Sequence, residues 1–301
     1  MVTLKKVLAQ SFIWILLALI YLPILLLIVW SFNSSTVLGV WQTGNGVNGS
    51  GLTGEVYEAL FRSEEIGRAL GNTVIVALSS ATVATLLGTM GAMGAYYCKR
   101  RTTAIVEAVN QIPVVNAEVI IAMSLTVMFV MAGNLIFHEN LFSFWTLLIG
   151  HVVLSAPFVY LNVKPKLLQL DPSLYEAALD LNATPSLAVR KVIIPQILPG
   201  ILSGFMLAIS LSLDDFIVTA FTSGPGLLSG QGTIVTLSTY VQSKIKKGPV
   251  PAEMRALTTF IFLLVVGIAI GYTIYNNVRA KRGSSHFSKR AKALARAEGR
   301  R

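Results

Sequence analysis

Charge is what this chain has least of. Of its 301 residues only 13% are Asp, Glu, Lys or Arg, against 54% hydrophobic, and the mean hydropathy is +0.68. A soluble chain of this length needs far more charge to cover its surface. The composition therefore excludes an ordinary soluble fold and indicates a polytopic membrane protein. Cysteine is nearly absent: Cys98 stands alone, which excludes a disulfide framework within the chain. The three histidines, His138, His151 and His286, fall in separate segments without metal-ligand spacing. His151, inside an apolar run, reads as a hydrogen-bonded packing residue. No Gly-rich phosphate loop, dinucleotide fingerprint or serine-nucleophile elbow occurs. Together these absences argue against an enzyme acting by itself.

What is present is apolar length. Six stretches, 12–32, 69–98, 112–137, 141–163, 192–222 and 256–278, are long enough to span a hydrocarbon core that takes roughly 20 helical residues to cross. The first follows Lys5 and Lys6 like a signal peptide. It exceeds a usual signal core, and no small-x-small cleavage site follows, so it reads as a retained helix. An even number of spans puts both termini on one side. With the termini inside, 18 of the 24 Lys and Arg lie on the cytoplasmic side, so the positive-inside rule gives an N-in, C-in chain. The stretch Lys244–Lys247 breaks that rule locally. The net charge of +10 gathers beside apolar spans and in the tail, 279–301, which sets nine basic residues against Glu298. That distribution suits anionic lipid headgroups and does not call for nucleic acid. The expected organisation is a first helix and outer loop over 1–66, a core of five helices over 67–278, and a basic cytoplasmic tail over 279–301. The outer loop holds a turn-rich Gly/Asn insertion at 42–53.

One cytoplasmic stretch, 170–199, is polar and amphipathic where the rest is oily. Asp171-Pro172 and Thr184-Pro185 are both helix-start signals. Between them Tyr175-Glu176-Ala177-Ala178 runs to Asn182, a residue that tolerates the left-handed turn ending a helix. The expectation is two short helices joined at Asn182-Ala183, forming a surface for another protein.

Three acids lie within the apolar runs: Glu118 in the third, Asp214 and Asp215 in the fifth. Ionisable groups there cost roughly 2.5 kcal/mol or more at mid-bilayer and mark pathways or buried pairs. No Lys or Arg inside a span neutralises them, so their expected partner is water, another subunit or a cationic substrate. The alternative is that the aspartates reach wet headgroups, since Asp214 lies about 25 Å along the axis from Ile197. Gly200, Gly204, Ala208 and Ser212 recur every four residues as a close-packing stripe. At about 100° per residue Asp215 falls on that stripe, and Asp214 lies about 80° to one side. Gly88, Gly91 and Gly94 read as packing positions.

These motifs carry a resemblance. Glu176-Ala177-Ala178, then Asn182 after three residues, then Val192-Ile193-Ile194-Pro195 after nine more, resembles the EAA loop of ABC importer permeases. Asn182 stands where that family has glycine. Ser212-Leu-Asp-Asp-Phe-Ile-Val-Thr219 looks like a segment of spermidine/putrescine permeases of the PotC/PotI type. Tyr21-Leu-Pro23, Ser31-Phe-Asn-Ser34, Gly71-Asn-Thr73, Leu87-Gly-Thr89 and Pro251-Ala-Glu253 before Ala256-Leu-Thr-Thr259 are similar to that family as well. The likeness covers residues 12–278.

The resemblance implies an all-α type I ABC importer permease fold and a non-catalytic membrane subunit in a bacterial inner membrane. It implies as partners a cytoplasmic ABC ATPase dimer, a second and different permease subunit, and an external polyamine-binding protein. ATP and Mg belong to the ATPase, and no cofactor is expected on this chain. Glu176, Ala177, Ala178, Asn182 and Pro195 would couple to the ATPase, and Asp215, Asp214 and Glu118 would line the substrate path. Two other readings stay open: a permease for an iron complex, a phosphonate or another organic cation, and an ATP-independent channel or scaffold.

Overall fold

The chain enters as a long helix, α1 (Val2–Ser31), and continues through α2 (Glu55–Arg62), α3 (Glu64–Tyr97), α4 (Arg100–Val115), α5 (Glu118–Ala132) and α6 (Phe144–Leu168). Two short helices follow, α7 (Ser173–Asp180) and α8 (Pro185–Ala188), then α9 (Ile194–Asp214), α10 (Ile217–Thr222) and α11 (Leu237–Lys247). Residues 252–267 form a further helix, α12. The computed structural model describes residues 2–33, 35, 40–43, 51–138, 141–224, 234–247, 252–267 and 270–271. The basic tail, most of the Gly-rich insertion and the last part of the expected sixth span lie outside the described residues. Among those described there is no β-strand, only an isolated bridge between Asn33 and Leu52.

Among the described residues, five helical stretches are long and apolar enough to cross a membrane: Gln10–Ser31, Glu64–Tyr97, Glu118–Ile136, Phe144–Leu168 and Pro185–Asp214. The chain divides into two units, one of 1–62 with 249–301, the other of 63–248. In the first, Asn33 is fully buried: its Nδ2 donates to the carbonyls of Gln42 and Gly51, and its Oδ1 accepts from the Ser35 and Gln42 amides. Gly51 is required there, at φ +76°, because a Cβ would lie 1.9 Å from the Gln42 carbonyl oxygen. Arg255 is buried too and donates to the carbonyls of Trp30 and Ser35, at the end of α1.

The second unit is built on α3, α6 and α9. Lipid tails are as apolar as leucine, so packing and polar contacts rather than water exclusion hold such helices together. Small residues make the packing possible. Gly200, Gly204, Ala208 and Ser212 are all buried along α9. A Cβ on Gly204 would come within 3.2 Å of Val159 Cα, and one on Gly200 within 2.7 Å of Lys166 Cγ. From the other side Gly88 seats α3 on α6, where a Cβ would meet Val159 Cβ at 2.7 Å and the Ala156 carbonyl at 2.8 Å. Gly91 is looser, with Tyr160 Cδ2 at 3.8 Å. Gly94 is not a packing position: it is exposed, and nothing lies within 4 Å of where its Cβ would be.

Two of the expected spans are interrupted. Residues 112–137 do not form one helix. Pro113 removes an amide donor and crowds the turn before it, and Val114, Val115 and Asn116 are weak helix formers. The backbone turns extended at Asn116 and Ala117, so α5 starts at Glu118. The fifth span likewise stops at Asp214, with Asp215 extended (ψ 121°) before α10. Caps set the other edges. Ser63 Oγ accepts the Ile66 amide, and the Ser143–Thr146 capping box opens α6.

Candidate functional site

The first candidate region is the two-helix loop after α6. Asp171 Oδ1 accepts the Ser173 amide at 3.0 Å, which starts α7. That bond is the main reason its carboxyl sits below the ordinary carboxylate range. At the other end α7 closes with Asn182 at φ +66°. The Asn182 amide donates to Leu179 O at 2.8 Å and the Ala183 amide to Ala178 O at 3.1 Å, the paired bonds of a Schellman turn. The left-handed residue expected at Asn182 is therefore observed. Pro185 then opens α8, whose axis runs through a π-turn, Val189–Ile193, directly into α9. The loop's second helix and the fifth span are one continuous element of 30 residues, Pro185–Asp214.

The loop is anchored on one face and open on the other. Ala178 is buried, and Tyr175 packs on the bundle core and on the Tyr97 ring at 5.9 Å. Glu176, Ala177, Asn182 and Pro195 are exposed, as is Leu181, at 85%. Leu174, Leu179 and Leu187 on the same short stretch are exposed as well.

The second region is where the two helix breaks meet. Asn116 and Glu118 from the α4–α5 break, and Asp214, Asp215 and Phe216 from the α9–α10 break, line a cleft of about 500 Å³ with Phe158. The Glu118 and Asp215 carboxyl groups both face this one cleft, although they come from different helix breaks. Leu154 and Phe158, on the same cleft, bracket the middle of α6, so the acids sit at mid-helix depth and not at the outer end. Broken spans that present free backbone groups to a cavity are where membrane transporters hold polar ligands.

The three acids are not equivalent. Asp214 is exposed to the cleft, and Glu118 is half-buried. Asp215 is buried, and its carboxylate is already engaged within the chain, which corrects the expectation that its partners lie elsewhere. Its Oδ1 accepts the Val218 amide at 3.2 Å, and its Oδ2 accepts the Thr219 amide at 2.9 Å and the Thr219 hydroxyl at 3.0 Å. Asp215 thus caps α10.

Behind it runs a buried polar chain that the sequence alone did not reveal. Ser80 Oγ donates to Ser212 Oγ at 3.1 Å, and Ser212 lies 2.8 Å from His151 Nδ1. His151 Nε2 lies 2.9 Å from Thr219 Oγ1, and 3.5 Å from Asp215 Oδ2. One proton per hydroxyl satisfies the whole chain if Ser212 donates to Nδ1, Nε2–H donates to Thr219, and Thr219 donates to Asp215. The only signal in the sequence was four polar residues scattered through three apolar runs. His151 is the packing residue expected.

A bundle interrupted at mid-depth around carboxylates, with a rigid two-helix loop at one end, is the build of a membrane transporter subunit. The family described as "binding-protein-dependent transport system inner membrane component" matches residues 84–283, and the chain belongs to it. It is 32% identical to the spermidine/putrescine transport system permease protein PotC of Escherichia coli K12, over 88% of this chain and 92% of that protein. It is 33% identical to the putrescine transport system permease protein PotI of the same organism, over 87% of this chain and 88% of that one. A solved bacterial ABC transporter involved in import of the acidic polysaccharide alginate superposes with a TM-score of 0.63 at 19% identity, over 89% of this chain and 92% of that one. The chain is therefore an inner-membrane permease subunit with the ABC type I importer fold.

Proposed function

We propose that the chain forms half of the translocation path of an ATP-driven importer for spermidine or putrescine. The observation that carries this reading is the cleft at the two helix breaks, with Glu118 and Asp214 open to it and Phe158 and Phe216 beside them. A polyamine is a flexible apolar chain with ammonium groups along it. Carboxylates receive the ammonium groups through charge-assisted bonds, and phenyl rings add cation–π attraction. The polyamine permeases to which the chain is similar support the same substrate class.

The partners in this reading are a cytoplasmic ABC ATPase dimer, a second and different permease subunit, and an external polyamine-binding protein. ATP and Mg act on the ATPase, and this chain binds no cofactor. Both termini are cytoplasmic. ATP binding draws the ATPase halves together against Glu176, Ala177 and the exposed turn at Asn182. Because α8 continues into α9, a displacement at that turn reaches Asp214 and Asp215 along one helix. Asp215 holds α10 in register, while Glu118 and Asp214 receive the amines.

The test is uptake by the complete transporter in vesicles. Glu118→Gln and Asp214→Asn should each reduce polyamine uptake about tenfold, the worth of one charge-assisted bond, with complex yield unchanged. Uptake kinetics unchanged in both variants would remove the assignment of the cleft. Competition by an iron complex, a phosphonate or another organic cation, but not by polyamines, would move the substrate to that class.

A further inference from the structure

A second cavity, of about 430 Å³, lies at the loop end of the same unit, between the end of α3, the start of α4 and the end of α6. Its floor is apolar, from Ala92, Ala95, Ala104 and Leu168, and its polar lining includes Arg100, Lys164 and Glu107. Lys164 and Glu107 form an ion pair, each about 30% exposed at the side chain. That pair leaves the Arg100 guanidinium as net positive charge; it has no partner among the described residues and is exposed. Lys99 and Arg101 flank it in the chain.

Tyr160, one turn along α6 from Lys164, is buried in the core behind the cavity and is not part of its lining. The corner itself is rigid: Thr103 Oγ1 donates to the Ala95 carbonyl at 2.8 Å and ties α4 to α3.

We infer that this cavity binds a phosphate-bearing ligand of net negative charge, as distinct from a zwitterionic one. An apolar floor with a fork-shaped unpaired guanidinium at a helix end suits a phosphate ester, which accepts two parallel bonds from Arg100 and a third from Lys164. The phosphate comes either from an anionic phospholipid headgroup at the membrane face or from a soluble phosphate. Basic pockets between spans at that level are headgroup sites by the same electrostatics.

The cavity also borders the docking loop. Tyr96 on its wall meets Tyr97 edge-to-face at 5.1 Å, and Tyr97 packs at a tilt against Tyr175 of α7. Leu168 ends α6 five residues before α7 begins.

The test is native mass spectrometry of the complete transporter, titrated with phosphatidylglycerol, with phosphatidylcholine and, in a separate arm, with inorganic phosphate. Wild type should retain one more phosphatidylglycerol per copy of this chain than Arg100→Glu. The variant's apparent affinity should fall roughly thirtyfold for the two charges changed, and Arg100→Gln should fall between them. Tyr160→Phe, outside the lining, should leave retention unchanged. Saturable retention of inorganic phosphate by wild type, lost in Arg100→Glu, would assign the site to a soluble phosphate. Equal retention of both ligands by wild type and Arg100→Glu would overturn the inference, as would equal retention of phosphatidylcholine. None of these readouts depends on polyamine transport, so failure here is distinct from failure of the transport reading.

Discussion

Asp215 ends one helix and begins the next, because its side chain competes with the backbone for the amides that would continue α9. Those amides, from Val218 and Thr219, are buried, so the carboxylate is a structural necessity before it is anything else. Asp215→Ala should leave both amides unsatisfied and cost about 1–3 kcal/mol, read as a lower unfolding temperature of the purified complex. His151→Phe should behave similarly, since it removes the acceptor of the buried Ser212 hydroxyl and a donor to Thr219. Neutralising Asp214 should leave stability unchanged and touch only transport. Helix phase placed Asp215 inward and Asp214 aside, and burial agrees. The capping role was not legible, because an acid within an apolar run looks the same whether the helix continues or breaks. The partners Ser80, His151 and Thr219 come from three separate segments, and nothing in a single sequence pairs them.

Among the elements, the loop of α7 and α8 was the most readable, since its signals are local. Asp171, Pro172, Asn182 and Pro185 act within a few residues of themselves, and each does in the structure what its chemistry dictates. Asn182→Gly should keep the turn and preserve coupling, because glycine takes the left-handed conformation freely. Asn182→Val should strain the turn by about 1–2 kcal/mol. It should also lower substrate-stimulated ATP hydrolysis while the complex still forms. Glu176→Lys should uncouple more completely, as it reverses charge on the exposed face without disturbing Ala178 beneath it. Wild-type stimulation of ATP hydrolysis in the Glu176→Lys complex would argue against the loop as the coupling surface. What composition could not show is that α8 and α9 are continuous through a π-turn. That continuity joins the loop to the cleft and depends on backbone hydrogen bonds such as Ile194 N to Val189 O.

At the scale of the whole molecule, small residues decide how closely α3, α6 and α9 approach. Gly88→Val should force α3 off Val159 and the Ala156 backbone, at a cost of about 1–3 kcal/mol, and reduce the yield of folded protein. Gly94→Ala, two turns further along, meets open space and should be neutral or slightly stabilising in a thermal-shift assay. The sequence treated the two glycines alike because both lie on a helix, and only the neighbouring helix distinguishes them. Apolar length marked the membrane class and most spans correctly. It failed at the breaks after Pro113 and at Asp215, where a proline and a side-chain cap override an uninterrupted hydrophobic run.

These scales meet in one claim, that a movement at the docking loop opens a carboxylate cleft to a polyamine. The direct measurement is accumulation of labelled spermidine in proteoliposomes holding the complete transporter and the external binding protein, with and without ATP. The account predicts ATP-dependent accumulation that putrescine competes for and that the Glu118→Gln, Asp214→Asn double variant lowers by at least about tenfold. ATP hydrolysis with no accumulation of either polyamine, or accumulation that the double variant leaves unchanged, would contradict it.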